Sequence, residues 1–334
     1  MSKALALFSG GLDSMLAARL IMEQGVDVTA LHFITPFFGY KAKGREAEAA
    51  ESFRERFGVN VKIIDISKDY IAMVKVPRYG YGKNFNPCLD CKIFMMTRAH
   101  EIMDREGYDF IVSGEVLGQR PMSQRRDAMR IVERDSDLDG KLLRPLCAKH
   151  MKPTIPEEQG LVDREKLLDI SGRSRRRQME LAERFGIKDY PTPAGGCLLT
   201  DPIISPRIRS LLLKDVDIET GDVLLLAVGR HFNLGGGTLY VGRNSDDNNK
   251  LASLAKEGDI LLKTKEVPGP VSLFRGRPVG DDLMLAASIT ARYSDGKTLE
   301  EVQVGIKLPG ESEERIFAVK PAEAEKLEVL RAVY

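Results

Sequence analysis

Six consecutive residues, Ser9-Gly10-Gly11-Leu12-Asp13-Ser14, have the composition of an anion cradle. Two adjacent glycines let a backbone approach a phosphate closely. Ser9 and Ser14 add hydroxyl donors. A helix starting near Asp13 adds free N–H groups and the positive end of its dipole. A carboxylate in an anion site calls for a cation beside it, so Asp13 is expected to hold Mg²⁺ against the phosphates. The plainer alternative is a glycine-rich strand-to-helix turn with an Asp cap. Two glycines alone suit that alternative; all six residues favour a nucleotide.

Cysteines form the second constellation. Asn86-Pro87-Cys88-Leu89-Asp90-Cys91 precedes a helical pattern. Two thiols at this spacing can share a metal, form a disulfide or hold part of an iron–sulfur cluster. The helix N-terminus is expected to lower the thiol pKa. Cys197 follows Gly195 and Gly196, which permit close approach of a large ligand. Cys147, after Leu143-Arg144-Pro145-Leu146, reads as a core thiol.

Basic residues cluster at two places despite a net charge of only +1, from 50 basic and 49 acidic residues. Arg173, Arg175, Arg176 and Arg177 make one group. Gln119, Arg120, Gln124, Arg125 and Arg126 make the other, just after Ser113-Gly114-Glu115. A solvated helix face is the ordinary reading of such groups. Their place beside the chemistry-bearing loops favours contact with nucleic-acid phosphates.

The elements that must position these residues alternate. Ala4–Phe8, Val26–Phe33, Val59–Ile66 and the segment around Phe110–Val112 read as buried strands. Helical patterns follow Asp13 and cover Lys43–Phe57, Lys92–Glu106 and Ser171–Phe185. Alternation of this kind predicts a parallel sheet with ligands at the carboxyl ends of its strands. After about Asp201 the texture changes. Asp222–Val228, Thr238–Val241, Ile260–Lys265 and Val271–Arg275 read as short strands. Asn248–Lys256, Asp281–Tyr293 and Ala322–Ala332 read as helices. The 334 residues therefore divide into an α/β domain over 1–205 and a smaller α+β domain over 206–334. No stretch approaches the roughly 20 apolar residues of a membrane span. The apolar run after Lys3 is too short for a signal-peptide core. The chain reads as cytoplasmic, with no membrane partner.

SGGLDS resembles the PP-loop of the N-type ATP pyrophosphatases. The resemblance implies a doubly wound parallel sheet of the adenine nucleotide alpha hydrolase-like type, with ATP over the first strand's carboxyl end. Its contacts would be Ser9 to Ser14, an adenine pocket at Ala30, Leu31 and His32, and Ser113 and Gly114. Members adenylate a carbonyl oxygen, release pyrophosphate, and let a nucleophile displace AMP. Asn86-Pro87-Cys88 after such a loop resembles the tRNA 2-thiouridylases and 4-thiouridine synthases. There the Cys matching Cys88 takes part in sulfur chemistry, and a second catalytic Cys lies near the position of Cys197. Two mechanisms stay open. Cys88, Cys91 and Cys197 could hold a 4Fe–4S cluster with one open iron, as several PP-loop tRNA thiolases do. Alternatively Cys197 carries a persulfide and Cys88 closes a disulfide to release the product.

Residues 238–295 resemble the NFACT-R domain, an RNA-associated module, through Tyr240-Val241-Gly242-Arg243-Asn244, Asn248, Asp259–Lys263 and Val267–Val271. Thr264-Lys265 departs from it where the family often has a histidine. Arg243, Asn244, Lys263, Lys265 and Arg275 could form a phosphate-binding face. The expectation is thus a tRNA sulfurtransferase. It uses ATP and Mg²⁺, binds tRNA, and takes sulfur from sulfide or a persulfide-carrying protein. A PP-loop amide-forming ligase and a non-catalytic ATP-sensing RNA factor are the alternatives.

Overall fold

The computed structural model describes residues 2–188, 190, 196–214, 217–308 and 314–334. It forms two compact units, Met1–Asp215 and Val216–Tyr334. Helix Ile204–Leu212, which the sequence reading does not assign, belongs to the first unit. Its Ser205 hydroxyl accepts the Phe85 N–H at 2.8 Å, which holds it there.

The first unit is built on β1 (Lys3–Leu7), β2 (Asp27–Ile34), β3 (Asn60–Asp65), β4 (Phe110–Ser113) and β5 (Leu142–Leu143). Its helices are α1 (Leu12–Met22), α2 (Glu46–Phe57), α3 (Ser67–Lys75), α4 (Cys88–Glu106), α5 (Arg126–Asp135), α6 (Ile155–Glu158), α7 (Arg176–Arg184) and α8 (Ile204–Leu212). The sheet order is β3-β2-β1-β4-β5, and every pairing is parallel. The doubly wound α/β expectation is met. The chain leaves β1 toward β2 and β3, then returns to β4 on the other side of β1. That reversal opens a crevice beyond the carboxyl ends of β1 and β4, where ligands of such sheets bind. β1 is apolar over Ala4–Leu7 and β4 over Phe110–Val112, because helices cover both faces. α1 carries Leu12, Met15, Leu16, Leu20 and Ile21 into the main core, with Ala17 and Ala18 between them.

Helix α7 is shorter than expected. Residues 171–175 stay outside the helix because Ser171 bridges to Leu117 and Gly172 takes φ +80°. Helix α5 is missing from the sequence reading, since its arginines hide a three-residue apolar stripe of Ala128, Met129 and Val132. Beneath it lies a buried ionic knot. Arg144 pairs with Glu115 at 3.1 Å and also with Glu133. Lys92 Nζ stands 3.6 Å from Glu115. Burial pushes the Glu115 carboxyl up, but Lys92 and Arg144 outweigh it and hold the group below its ordinary range.

The second unit holds β6 (Arg230–Leu234), β7 (Gly237–Val241), β8 (Ile260–Thr264), β9 (Val271–Gly276), β10 (Val302–Lys307) and β11 (Arg315–Val319). They form an antiparallel sheet ordered β11-β10-β8-β9-β7-β6. Its helices are α9 (Thr220–Leu225), α10 (Ser245–Leu254), α11 (Asp282–Arg292) and α12 (Ala324–Leu330). The expected strand Asp222–Val228 is replaced by helix α9. A capping box of Glu219 and Asp222 starts that helix. Among the described residues no helix is long and apolar enough to cross a membrane.

Candidate functional site

β1 ends at the glycine pair. Gly10 adopts φ +74°, a conformation that favours glycine. The Gly11 N–H reaches the Ser9 hydroxyl at 3.3 Å, and the Ser14 hydroxyl donates to the Gly11 carbonyl at 2.7 Å. Ser9 and Ser14 hydroxyls are 3.3 Å apart. Helix α1 starts on Gly11, which has no side chain to cap it. The Ser14 N–H closes on the Gly11 carbonyl at 3.1 Å, which leaves the Leu12 and Asp13 N–H groups of the first turn for an anion. Gly114, just past β4, abuts this loop. A Cβ there would stand 2.5 Å from the Asp13 carbonyl and 2.6 Å from the Ser14 nitrogen. Ser113 is buried at the end of β4.

The expected adenine-pocket residues are unequal. Ala30 lies in the hydrophobic core. The Leu31 carbonyl accepts the Phe8 N–H at 2.8 Å. His32 Nδ1 donates to the Phe8 carbonyl at 2.8 Å, and burial lowers its pKa. Of the three, only His32 brings a polar side chain to the Phe8–Ser9 junction, beside Phe53.

Asp13 is the focus of the basic segments. Burial raises its carboxyl pKa, opposed by Arg175, Gln119, Arg120 and Gln178, which all face it. The two segments are zipped together there. The Gly172 N–H donates to the Leu117 carbonyl at 2.7 Å, and within the earlier segment the Gly118 N–H donates to the Gln124 carbonyl at 2.7 Å. Other arginines are engaged locally. Arg125 pairs with Asp127 at 3.0 Å, Arg176 with Glu180 at 2.9 Å and Arg177 with Asp169 at 2.6 Å. Arg126 donates to the His150 carbonyl at 3.0 Å. Arg120 and Arg173 are exposed. Gln178, which the sequence reading does not single out, is fully buried. Its signal lay in the period of α7, where it shares the inward face with Ala182.

The thiols converge as well. Cys88 opens α4, and the Cys91 N–H closes the first turn on the Pro87 carbonyl at 2.8 Å. Asp90 pins the preceding loop by accepting the Arg78 N–H at 2.8 Å. The Cys197 segment docks alongside. The Leu198 N–H donates to the Phe37 carbonyl at 3.0 Å, and Asn84 Nδ2 donates to the Thr200 carbonyl at 2.7 Å. Residues 191–195 of the expected turn lie outside the described residues. Burial pushes the Cys197 thiol up to about 12, helped by Cys91 and Cys88. Burial likewise pushes Cys91 up to about 11, so the expected lowering at a helix N-terminus is overridden there. Tyr70 is fully buried against the same thiols, and its hydroxyl faces Cys91. All four cysteines are free. Among the described residues no three His, Cys, Asp or Glu side chains are arranged for a single metal ion. Cys88, Cys91 and Cys197 thus face one another around the Tyr70 hydroxyl, and thiolates are the ligands an iron–sulfur cluster takes. Cys147 is a core thiol, with Sγ donating to the Glu115 carbonyl at 3.3 Å.

In the second unit the expected phosphate face is largely committed to structure. Arg275 is bound to Asp259 and to Asp222, at 2.6 Å for the latter. Arg243 pairs with Asp247 at 2.6 Å, and Asn244 caps α10 by accepting the Asp247 N–H. Lys265 pairs with Glu314. Lys263 is exposed on β8. Asn248 fastens β9 by accepting the Val271 N–H at 3.0 Å.

Residues 1–155 match the family model of the thiamine biosynthesis protein ThiI, and residues 229–331 match the NFACT protein RNA binding domain. The second match extends beyond the 238–295 expected. A probable tRNA sulfurtransferase of Thermococcus kodakarensis is 29% identical over 170 residues, 51% of this chain and 40% of its own. The tRNA-specific 2-thiouridylase MnmA of Fervidobacterium nodosum is 32% identical over 252 residues, 70% of this chain and 67% of its own. A crystal structure of a 4-thiouridine synthetase–RNA complex with bound ATP is similar at a TM-score of 0.34 and 19% identity. That match covers 56% of this chain and 52% of the other. The chain spans about two fifths of the length of the first curated relatives, 40% and 43%. With SGGLDS between β1 and α1, the chain belongs to the PP-loop ATP pyrophosphatases of the tRNA-thiouridylase type, joined to a domain of the NFACT RNA-binding family.

Proposed function

We propose that this protein is an ATP-dependent tRNA sulfurtransferase. The observation that carries the reading is the assembly, in one unit, of an uncapped helix α1 behind Ser9–Ser14 with three facing thiols. The phosphates of ATP sit on the α1 N-terminus and the Ser9 and Ser14 hydroxyls. Asp13 holds Mg²⁺ against them. A pyrimidine carbonyl oxygen of the RNA attacks the α-phosphorus, and the bond to pyrophosphate breaks. The Gly10 and Gly11 amides stabilise charge that develops on the phosphate oxygens. A sulfur nucleophile then attacks the base carbon, and AMP departs with the base's own oxygen.

Cys88, Cys91 and Cys197 hold the sulfur. A 4Fe–4S cluster bound by these three thiolates would supply an open iron for sulfide from the donor. The raised proton affinities of Cys91 and Cys197 favour this version, because a thiol near 11 or 12 stays protonated at neutral pH unless a cation replaces its proton. In the cluster-free version a persulfide of Cys197 attacks the base. Cys88 then closes a disulfide with Cys197, and a reductant must reopen it. Exposed Arg120, Arg173 and Lys263 are left to meet RNA phosphates.

The test is a product balance. With ATP, Mg²⁺, sulfide and an unmodified tRNA pool, AMP, pyrophosphate and a thiolated nucleoside should appear in equal amounts. Omitting the tRNA should remove all three. AMP formation that persists without RNA would reject the reading in favour of a small-molecule ligase.

A further inference from the structure

One patch of the first unit holds more unpaired buried polar atoms than a folded protein normally tolerates. Gln178 is fully buried and faces the Asp13 carboxyl, yet neither its Nε2 nor its Oε1 makes a hydrogen bond of ordinary geometry. Asp13 Oδ1, Gln119 Oε1 and Arg175 Nε are buried and unpartnered too. The other three act on Asp13, the two amides as hydrogen-bonding neighbours and Arg175 through its charge. Buried polar groups are paired in the great majority of cases, because leaving one unpaired forfeits its hydration with nothing in return. Their concentration around a loop residue of the nucleotide site marks a place shaped for a ligand.

The chemistry of the orphans describes that ligand. Two are donors, Arg175 Nε and Gln178 Nε2. Three are acceptors, the oxygens of Asp13, Gln119 and Gln178. A bare phosphate would use only the donors, and a bare cation only the acceptors. A magnesium polyphosphate uses both, because phosphate oxygens accept while magnesium and its bound waters face the acceptors. Helix α7 packs on α1, which places Gln178 behind the phosphate loop rather than on an outer surface.

We propose that Gln178 and Arg175 bind the magnesium–pyrophosphate portion of the nucleotide, with Gln119 as an acceptor for the hydrated metal. Arg175 thereby leaves the set expected to touch RNA, while its neighbour Arg173 remains outside. The inference rests on the reading of Ser9–Ser14 as an ATP site and adds a wall to it from a segment more than 150 residues later in the chain.

The discriminating variant is Gln178→Leu, which keeps the volume and removes both orphans. Calorimetric titration of the full chain uses α,β-methylene-ATP with Mg²⁺, magnesium pyrophosphate, and AMP. The variant should bind the first two about 10- to 100-fold more weakly, as befits loss of a hydrogen bond to a charged group. Its AMP affinity should match wild type, and its melting temperature should be equal or higher, since an unpaired amide has gone. Unchanged affinity for both polyphosphate ligands would overturn the proposal. So would a lowered melting temperature with proportionate loss for all three ligands, which would make Gln178 a packing residue. Wild-type protein that binds none of the three would instead reject the ATP site itself.

Discussion

Replacing Gly114 with Ala will cost nucleotide-dependent activity on the order of 100-fold, the penalty of moving a reacting group by about 1 Å. The added methyl would stand 2.5 Å from the Asp13 carbonyl carbon and oxygen. Its neighbours there are backbone atoms, not the tip of a flexible side chain, so the phosphate loop itself must shift. Gly114 does not adopt a left-handed φ. The requirement is therefore one of space between two loops at the sheet's switch point. Overpacking of this kind costs about 1–3 kcal/mol, so the variant should still fold. The expected result is a modestly lowered melting temperature with ATP affinity and turnover largely gone. Wild-type turnover in a folded Gly114→Ala protein would show that the loops move independently of the chemistry.

Cys197→Ala should separate the two halves of the reaction. Sulfur transfer is expected to fall by at least about a thousandfold, as when a covalent participant is removed. Pyrophosphate release in a single turnover should persist, because the Ser9–Ser14 loop is untouched. Cys147→Ala provides the contrast. That thiol is buried beneath the Glu115 carbonyl, so stability should drop while thiolation remains. Equal thiolation by Cys197→Ala and wild type would remove this residue from the sulfur path in both mechanisms. Loss of pyrophosphate release along with thiolation would mean that Cys197 serves the nucleotide step.

Much of this was legible in the sequence because local chemistry coincided with local structure. The SGGLDS loop, the CxxC pair and the strand-helix alternation each sit within a few residues of the elements they imply. The failures share a cause. The α9 segment looked like a strand because Val223, Leu224 and Leu225 form an apolar run. The capping box that makes it a helix involves Glu219 and Asp222, which the run outweighs. The lowered thiol pKa expected for the CxxC is overruled at Cys91 by burial, which outweighs the lowering by Tyr70 and Lys92 and which no local motif reveals. Arg243 and Arg275 read as a basic face, but Asp247, Asp222 and Asp259 consume them. Gln178 carries no charge and matches no motif. Its meaning appears only when α7 is packed against α1 and its buried amide is found facing Asp13 without a hydrogen bond of ordinary geometry.

The most direct measurement follows the oxygen of the base. A tRNA pool would be transcribed with ¹⁸O in the pyrimidine carbonyl positions and incubated with the protein, ATP, Mg²⁺ and sulfide. Mass spectrometry would then examine the AMP released and the nucleosides left behind. If the carbonyl oxygen is adenylated and displaced by sulfur, the label appears in AMP in step with the thiolated nucleoside. Label retained in the RNA, with unlabelled AMP, would contradict the proposed reaction.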